Sequence, residues 1–408
     1  MKPSKTGYLQ IIYFLLTFLS LGFTAAGQES SPQKGIFFVE PEIMIGTVVP
    51  NFPDFPKSDI RTSLVLNFGR LNAIENQHWA TYYSYPTTGI AFAVSDYANN
   101  KVLGREFSLV PYLTLNLSKK RLHSWYLKLG LGASYFTKHF DVLENPTNEV
   151  IGSSLTWTFQ AFMYRSLLVN EKMHLKFGGG FWHSSNGHTQ LPNFGMNSAM
   201  MSISAQFLDG AKALNFYKHN KPVDIDRTKH YYFVARKGYG FHELGDANGP
   251  IGGAKKSVYT LSLGAGVLYR QHLRVRAGFA YRFYQHYYDE IRANERSEFR
   301  DRPAWNASNI YFFLGSEFLI GHIGMDAEGG LNLFKPFFRT HIDEFTNTED
   351  ETKIFLKQMF STRLGLNFYL FNTNRKPRNN FFLGAHINAN FGQADFTEIN
   401  LGYTHMFK

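Results

Sequence analysis

His183 and Ser185 stand one residue apart in the stretch from Phe181 to Asn197, which reads Phe-Trp-His-Ser-Ser-Asn-Gly-His-Thr-Gln-Leu-Pro-Asn-Phe-Gly-Met-Asn. A serine hydroxyl is a weak nucleophile until a base takes its proton, and an imidazole can do so near neutral pH. Side chains alternate faces along a strand, so a spacing of two places both groups on one face. The amide of Asn197 could fix the imidazole tautomer, as the third member of a triad does. Asn186, with the backbone N–H groups around Gly187, offers donors for an oxyanion. The chemistry is nucleophilic attack on an acyl ester. The bland reading is that Ser-Asn-Gly is turn chemistry and His183 a rim residue; His188, in the same hairpin, reads as a loop residue.

The elements on either side decide which face these groups occupy. Upstream, Met173, Leu175, Phe177, Gly179 and Phe181 alternate with His174, Lys176, Gly178, Gly180 and Trp182. Carrying that parity forward puts His183 and Ser185 with the apolar set. Downstream, Ala199, Met201, Ile203, Ala205 and Phe207 alternate with Ser198, Ser202, Ser204 and Gln206, and Asn197 shares the apolar parity. Three polar groups on a bilayer-facing surface are costly and call for a functional reason.

The same period of two recurs down the chain. Trp125, Leu127, Leu129, Leu131, Ala133 and Tyr135 oppose Tyr126, Lys128, Gly130, Gly132 and Ser134; Leu273, Val275, Ala277, Phe279, Tyr281 and Phe283 oppose Arg274, Arg276, Gly278, Ala280 and Arg282. Soluble sandwiches also alternate, but their strands average about five or six residues. These runs are longer and carry aromatics near their ends, as lipid-exposed barrel strands of roughly 9 to 11 residues do. The last of them, with Ile399, Leu401, Tyr403 and Phe407, reaches almost to Lys408. The expectation is all-β: an antiparallel transmembrane β-barrel with an even number of strands, about 12 to 16, since closure leaves no unpaired edge in hydrocarbon. Sixteen runs can be counted, eight before about residue 210 and eight after it. Asn51–Ser58, Asp209–Asp226, Asp289–Asn306 and His341–Thr352 read as loops.

Composition narrows the classes further. The 408 residues include 40 Phe and 23 Tyr, only 18% are charged, and there is no cysteine. That excludes disulfides, thiolate metal sites and thiol nucleophiles. Lys2 and Lys5, the apolar run Leu9–Phe23 and the small residues Ala25, Ala26 and Gly27 form a secretory signal pattern over 1–27; an N-terminal membrane anchor is the alternative. Residues 28–408 are then one barrel, with 28–208 an eight-strand portion and 209–408 further strands of the same barrel. Removing Lys2 and Lys5 takes the formal charge from +10 to +8. For an exported chain, that excess is matched by anionic lipid or phosphate-bearing glycolipid rather than nucleic acid. P-loop, His-Glu-x-x-His and dinucleotide fingerprints do not occur, and no spacing supports a metal site, so no cofactor is expected.

The hairpin resembles the lipid A 3-O-deacylase (PagL-like) family of outer-membrane barrels. The shared pattern is His183, Ser185 and Asn186, followed by Pro192, Asn193 and Gly195 at the family's spacing. The resemblance implies Ser185 as nucleophile, His183 as general base and Asn186 as oxyanion contributor, with lipid A or a related acylated glycolipid as substrate. The family's acidic residue would fall at Asn197, which can orient the ring but carries no charge. The expected location is the outer membrane, crossed many times by strands.

Two other functions compete. A channel or transport barrel would use the polar parity as its working surface, and a structural or adhesive barrel would use neither. Arg274, Arg276 and Arg282 are expected either to pair with Asp326, Glu328 or Glu317 as an internal ion network or to line an anion path. The oligomeric state is left open.

Overall fold

The computed structural model describes residues 36–72, 83, 85–117, 124–169, 173–208, 228–246, 249–293, 297–345 and 350–407. The signal segment 1–27 and the expected loop Asp209–Asp226 lie outside them. Sixteen strands follow in order. The first eight are β1 Ile36–Val48, β2 Ile60–Leu71, β3 Thr87–Asp96, β4 Arg105–Asn116, β5 Trp125–Phe136, β6 Leu155–Val169, β7 Met173–Ser185 and β8 Met196–Leu208. The second eight are β9 His230–Asp246, β10 Gly249–Tyr269, β11 Leu273–Tyr284, β12 Ser308–Ile320, β13 Ile323–Phe334, β14 Phe360–Tyr369, β15 Asn379–Asn390 and β16 Gln393–Met406. Among the described residues, no helix is long and apolar enough to cross a membrane.

The strands form two closed antiparallel barrels of eight, not the single barrel of 12 to 16 expected from the sequence. β8 returns to β1, with Ile43 opposite Ile203 and Val48 opposite Ser198, so the first barrel closes on itself. That closure uses the hydrogen-bonding edges on which a ninth strand would have to add. β16 closes on β9 in the same way, from Thr397 opposite Phe241 to Met406 opposite Tyr232. Residues 209–408 therefore hold a second barrel and do not enlarge the first. Alternation cannot reveal this, because one large barrel and two small ones repeat the same period.

In both barrels the apolar parity faces outward. Phe37, Ile43, Leu64, Phe92, Phe181 and Ile203 are exposed on the first, and Leu261, Phe279, Leu314, Phe381 and Leu401 on the second. The inward parity is buried and mixes polar and charged side chains with apolar clusters, such as Met44, Val110 and Phe162 in the first barrel and Val234 and Phe382 in the second. An eight-stranded barrel is just wide enough for its side chains to fill it, and buried charges there must be paired.

In the first lumen, Glu42 accepts from Lys128 Nζ (3.0 Å) and Asn67 Nδ2 (2.9 Å). Glu40 accepts from Lys176 Nζ (2.9 Å) and Ser204 Oγ (2.6 Å). In the second, Arg276 meets Glu328 (2.6 Å) and Asp326, while Arg363 bridges Asp326 (3.0 Å) and Glu398 (3.3 Å). Arg274 reaches Glu317 (3.5 Å). The internal ion network expected for Arg274 and Arg276 is present. Arg282 departs from it, bonding Asn388 Oδ1 (2.8 Å) and Tyr311 Oη (3.1 Å) and lying over the Tyr311 ring.

Two segments expected as loops contain helices among the described residues. Between β11 and β12 run α1 Gln285–Ala293, α2 Ser297–Arg300 and α3 Pro303–Asn306; between β13 and β14 run α4 Phe337–Phe345 and α5 Glu351–Met359. Their polar composition conceals an apolar side, on which Tyr287, Ile291, Phe337 and Phe338 pack with Val258 and Phe396 of the second barrel.

Candidate active site

The β7–β8 hairpin holds the site, and the lumen holds the hairpin. Trp182 and Ser184, the inward residues around His183, both donate to Glu106 Oε1, at 3.1 and 2.6 Å. The same carboxylate accepts from Arg61 Nη2 (2.9 Å) and Ser134 Oγ (2.7 Å). Because successive side chains alternate, anchoring 182 and 184 from within fixes His183 and Ser185 on the outer face. Their outward placement matches the parity read from the sequence: both are half-buried, between exposed Phe181 and buried Asn186.

His183 and Asn197 are cross-strand partners in the β7–β8 ladder. His183 Nδ1 lies 2.7 Å from Asn197 Oδ1. A carbonyl oxygen can only accept, so Nδ1 carries the proton and Nε2 keeps its lone pair. That is the tautomer a general base requires. Gly195 sits beside both side chains, His183 and Ser185. A Cβ there would lie 3.0 Å from His183 Cε1 and 3.3 Å from Ser185 Cβ, and the residue adopts φ +78°, where glycine carries no steric penalty. Ser185 Oγ and the imidazole thus flank one glycine but share no hydrogen bond among the described residues.

Ser185 Oγ is met by two donors, Asn193 Nδ2 at 2.9 Å and the Gly187 N–H at 3.4 Å. The other amide of the sequence motif is used within the loop: Asn186 Nδ2 donates to Gln190 O (2.7 Å), and its Oδ1 accepts from the Thr189 N–H (3.2 Å). The donor nearest the serine is therefore the side chain of Asn193, whose own Oδ1 accepts from the Asn186 N–H (3.3 Å). Asn193 is visible in the sequence motif but was given no role there; only the folded loop brings it back across eight positions. Glu106 carries no such signal in the sequence, because its partners come from three other strands, β2, β5 and β7. His188 lies away from this cluster, its ring 6.0 Å from that of His242 on β9.

The fold is an outer-membrane-type β-barrel, and a serine, an imidazole and two amide donors stand on its outer face. Residues 69–206 match the family described as lipid A 3-O-deacylase (PagL). The match lies within the first barrel, from the end of β2 to within two residues of the end of β8, so the resemblance read from a motif of about fifteen residues extends well beyond the hairpin loop. No curated protein matches the chain. Solved structures similar to it include CdiB from Acinetobacter baumannii, 6% identical, with 91% of this chain and 60% of that one covered and a TM-score of 0.17. The chain thus spans about 60% of the length of CdiB. An outer membrane channel from Pseudomonas putida F1 is 10% identical over 93% of this chain and 98% of that one, with a TM-score of 0.18. OccK1 (OpdK) of Pseudomonas aeruginosa is 9% identical over 93% and 100%, with a TM-score of 0.19.

Proposed function

We propose that the protein is an outer-membrane esterase that removes an ester-linked acyl chain from lipid A. The observation that carries this reading is the outward face of the β7–β8 hairpin, where Ser185 with its two amide donors and His183 with its Nδ1 held by Asn197 flank Gly195.

In this reading the ester carbonyl enters from the membrane beside Ser185. His183 Nε2 removes the hydroxyl proton as Oγ attacks, giving a tetrahedral intermediate and an imidazolium. Asn193 Nδ2 and the Gly187 N–H donate to Ser185 Oγ at rest; as Oγ bonds to the carbonyl carbon they pass to the adjacent carbonyl oxygen, on which the negative charge develops. Asn186 contributes by holding the turn that presents them. The imidazolium returns its proton to the departing glycolipid oxygen as the C–O bond breaks. Water, deprotonated by the same imidazole, then attacks the acyl-serine; the imidazolium returns the proton to Ser185 Oγ as the acyl–Oγ bond breaks, and the fatty acid is released. Asn197 orients the ring throughout but offers the imidazolium a dipole in place of a charge, so each protonation step costs more than it would beside a carboxylate.

The test is Ser185→Ala in the full-length chain, with purified lipid A as substrate and mass spectrometry as readout. The expected result is loss of fatty-acid release with unchanged heat-modifiable migration, the sign of an intact barrel. Undiminished deacylation by this variant would remove the hydrolase reading.

A further inference from the structure

The second barrel touches the first at the loop that carries the oxyanion donors. Glu243 on β9 continues the outward parity of Tyr231, Tyr239 and Phe241, yet it is only 7% exposed. What covers it is the hairpin of the first barrel. The Glu243 N–H donates to His188 O (3.1 Å), and Glu243 Oε2 accepts from the Leu191 N–H (2.5 Å). One residue thus pairs both a carbonyl and an N–H of the 186–195 loop, where Leu191 and Asn186 are each about 2% exposed. A carboxylate turned outward from a barrel wall has no structural use for that barrel; here it satisfies a backbone group of the other.

Thr397 on β16 makes the second contact. Its Oγ1 accepts from Trp157 Nε1 of β6 (3.2 Å) and donates to Asn186 O (3.5 Å). The same carbonyl accepts from Thr189 Oγ1 (3.1 Å). The peptide group is rigid and planar, with C=O and N–H pointing in opposite directions. Holding the Asn186 carbonyl therefore aims the N–H on the other side of that peptide bond, which belongs to Gly187 and points toward Ser185 Oγ. The packing is tight: a Cβ on Gly187 would lie 2.6 Å from Thr397 Oγ1 and 3.5 Å from Ile387 Cγ1.

We infer that the second barrel is a positioning element for the first, with Thr397 and Glu243 holding the 186–191 loop so that the Gly187 N–H stays aimed at Ser185 Oγ, beside which the oxyanion of the esterase reading forms. The inference rests on the esterase reading of Ser185 and adds to it a role for residues 230–406. Neither Thr397 nor Glu243 touches the reacting atoms; both act through the loop backbone. Preorganised donors lose their value when misdirected, and a displacement of about 1 Å is enough to cost on the order of a hundredfold in rate.

The experiment compares full-length Thr397→Val, Thr397→Ser, Glu243→Ala and Glu243→Gln with the parent and with Ser185→Ala, all on purified lipid A micelles. Valine keeps the branched shape of threonine and removes the hydroxyl, whereas serine keeps it; glutamine keeps an acceptor oxygen for Leu191, and alanine does not. The expected result for Thr397→Val and Glu243→Ala is a fall of about ten- to a hundredfold in kcat with KM little changed. Thr397→Ser and Glu243→Gln are expected to recover most of it.

If Thr397→Val does not give a heat-modifiable barrel, the Glu243 pair decides. Parental kcat in both loss variants, alongside an inactive Ser185→Ala, overturns the positioning role and leaves the esterase reading standing. A change confined to KM also overturns it, since that would make these residues substrate contacts. Glu243→Gln falling as far as Glu243→Ala overturns the acceptor role of Glu243. Full activity in Ser185→Ala is the separate outcome that defeats the esterase reading itself.

Discussion

His183 and Asn197 face each other in register across β7 and β8, with Nδ1 2.7 Å from Oδ1, so the ring is oriented by a neutral acceptor on the lipid side of the barrel. An amide settles the tautomer as well as a carboxylate does. It does not settle the charge: an imidazolium formed half-buried beside a dipole is less stable than one beside an anion.

On the esterase reading, Asn197→Glu is therefore expected to raise the deacylation rate, by about tenfold, through stabilisation of the imidazolium in both acyl transfer steps. The pH–rate profile should move with it. A nearby carboxylate favours protonated His183, so the rising acidic limb is expected at higher pH in the variant than in the parent. Steady-state rates on purified lipid A across a pH series check both points. A rate below the parent's would mean that the longer side chain displaces the ring instead of holding it.

Asn193 is the donor nearest Ser185 Oγ, at 2.9 Å, and its other amide atom ties down the Asn186 N–H. On the esterase reading, Asn193→Ala removes a donor from beside the position where negative charge develops. The expected cost is about a hundredfold or more in kcat, the usual size for one oxyanion donor. Asn193→Asp tests the sign of the group: it keeps the shape and the acceptor for Asn186 but replaces the donor with an anion, and is expected to be at least as damaging. Comparing single-turnover acylation rates separates this from an effect on substrate binding.

Much of this site was legible because β structure has a period of two. Once Met173 to Phe181 and Ala199 to Phe207 are assigned faces, the sides of His183, Ser185 and Asn197 follow. What lay beyond the sequence depends on which strands meet. Glu106 supports β7 only because barrel closure brings β4 within reach across the lumen. Glu243 and Thr397 reach the loop only because a second barrel stands beside the first. The number of barrels was equally hidden, since it turns on whether β8 bonds to β1 or to β9, and either pairing satisfies the same alternation. The helices between β11 and β12 were read as loop because Asp289–Asn306 is rich in charge, although Tyr287 and Ile291 give α1 a buried side.

That helix supplies the last expectation, a dependence of stability on pH. His286 on α1 is fully buried, and its Nδ1 lies 2.8 Å from His242 Nε2. Its ring stands 5.1 Å from that of His341, which in turn bonds Glu290 (2.7 Å). A hydrogen bond between two imidazole nitrogens needs a lone pair on one of them, so protonating both rings breaks it. Burial, reinforced by His242, His341, His188 and Lys256, holds the pKa of His286 well below its ordinary value of 6.5. In the unfolded chain the same imidazole takes up a proton as the pH falls through that value. The unfolded state then binds more protons than the folded one, and stability declines with falling pH until the folded pKa is reached. Above about pH 6.5 this contribution is fully present. The unfolding temperature of the heat-modifiable form is expected to drop between about pH 7.5 and pH 5. In His286→Gln, which keeps a hydrogen-bonding side chain but cannot titrate, the slope should be shallower even if the variant is less stable at neutral pH. Parallel slopes for the parent and this variant would place the acid sensitivity elsewhere in the chain.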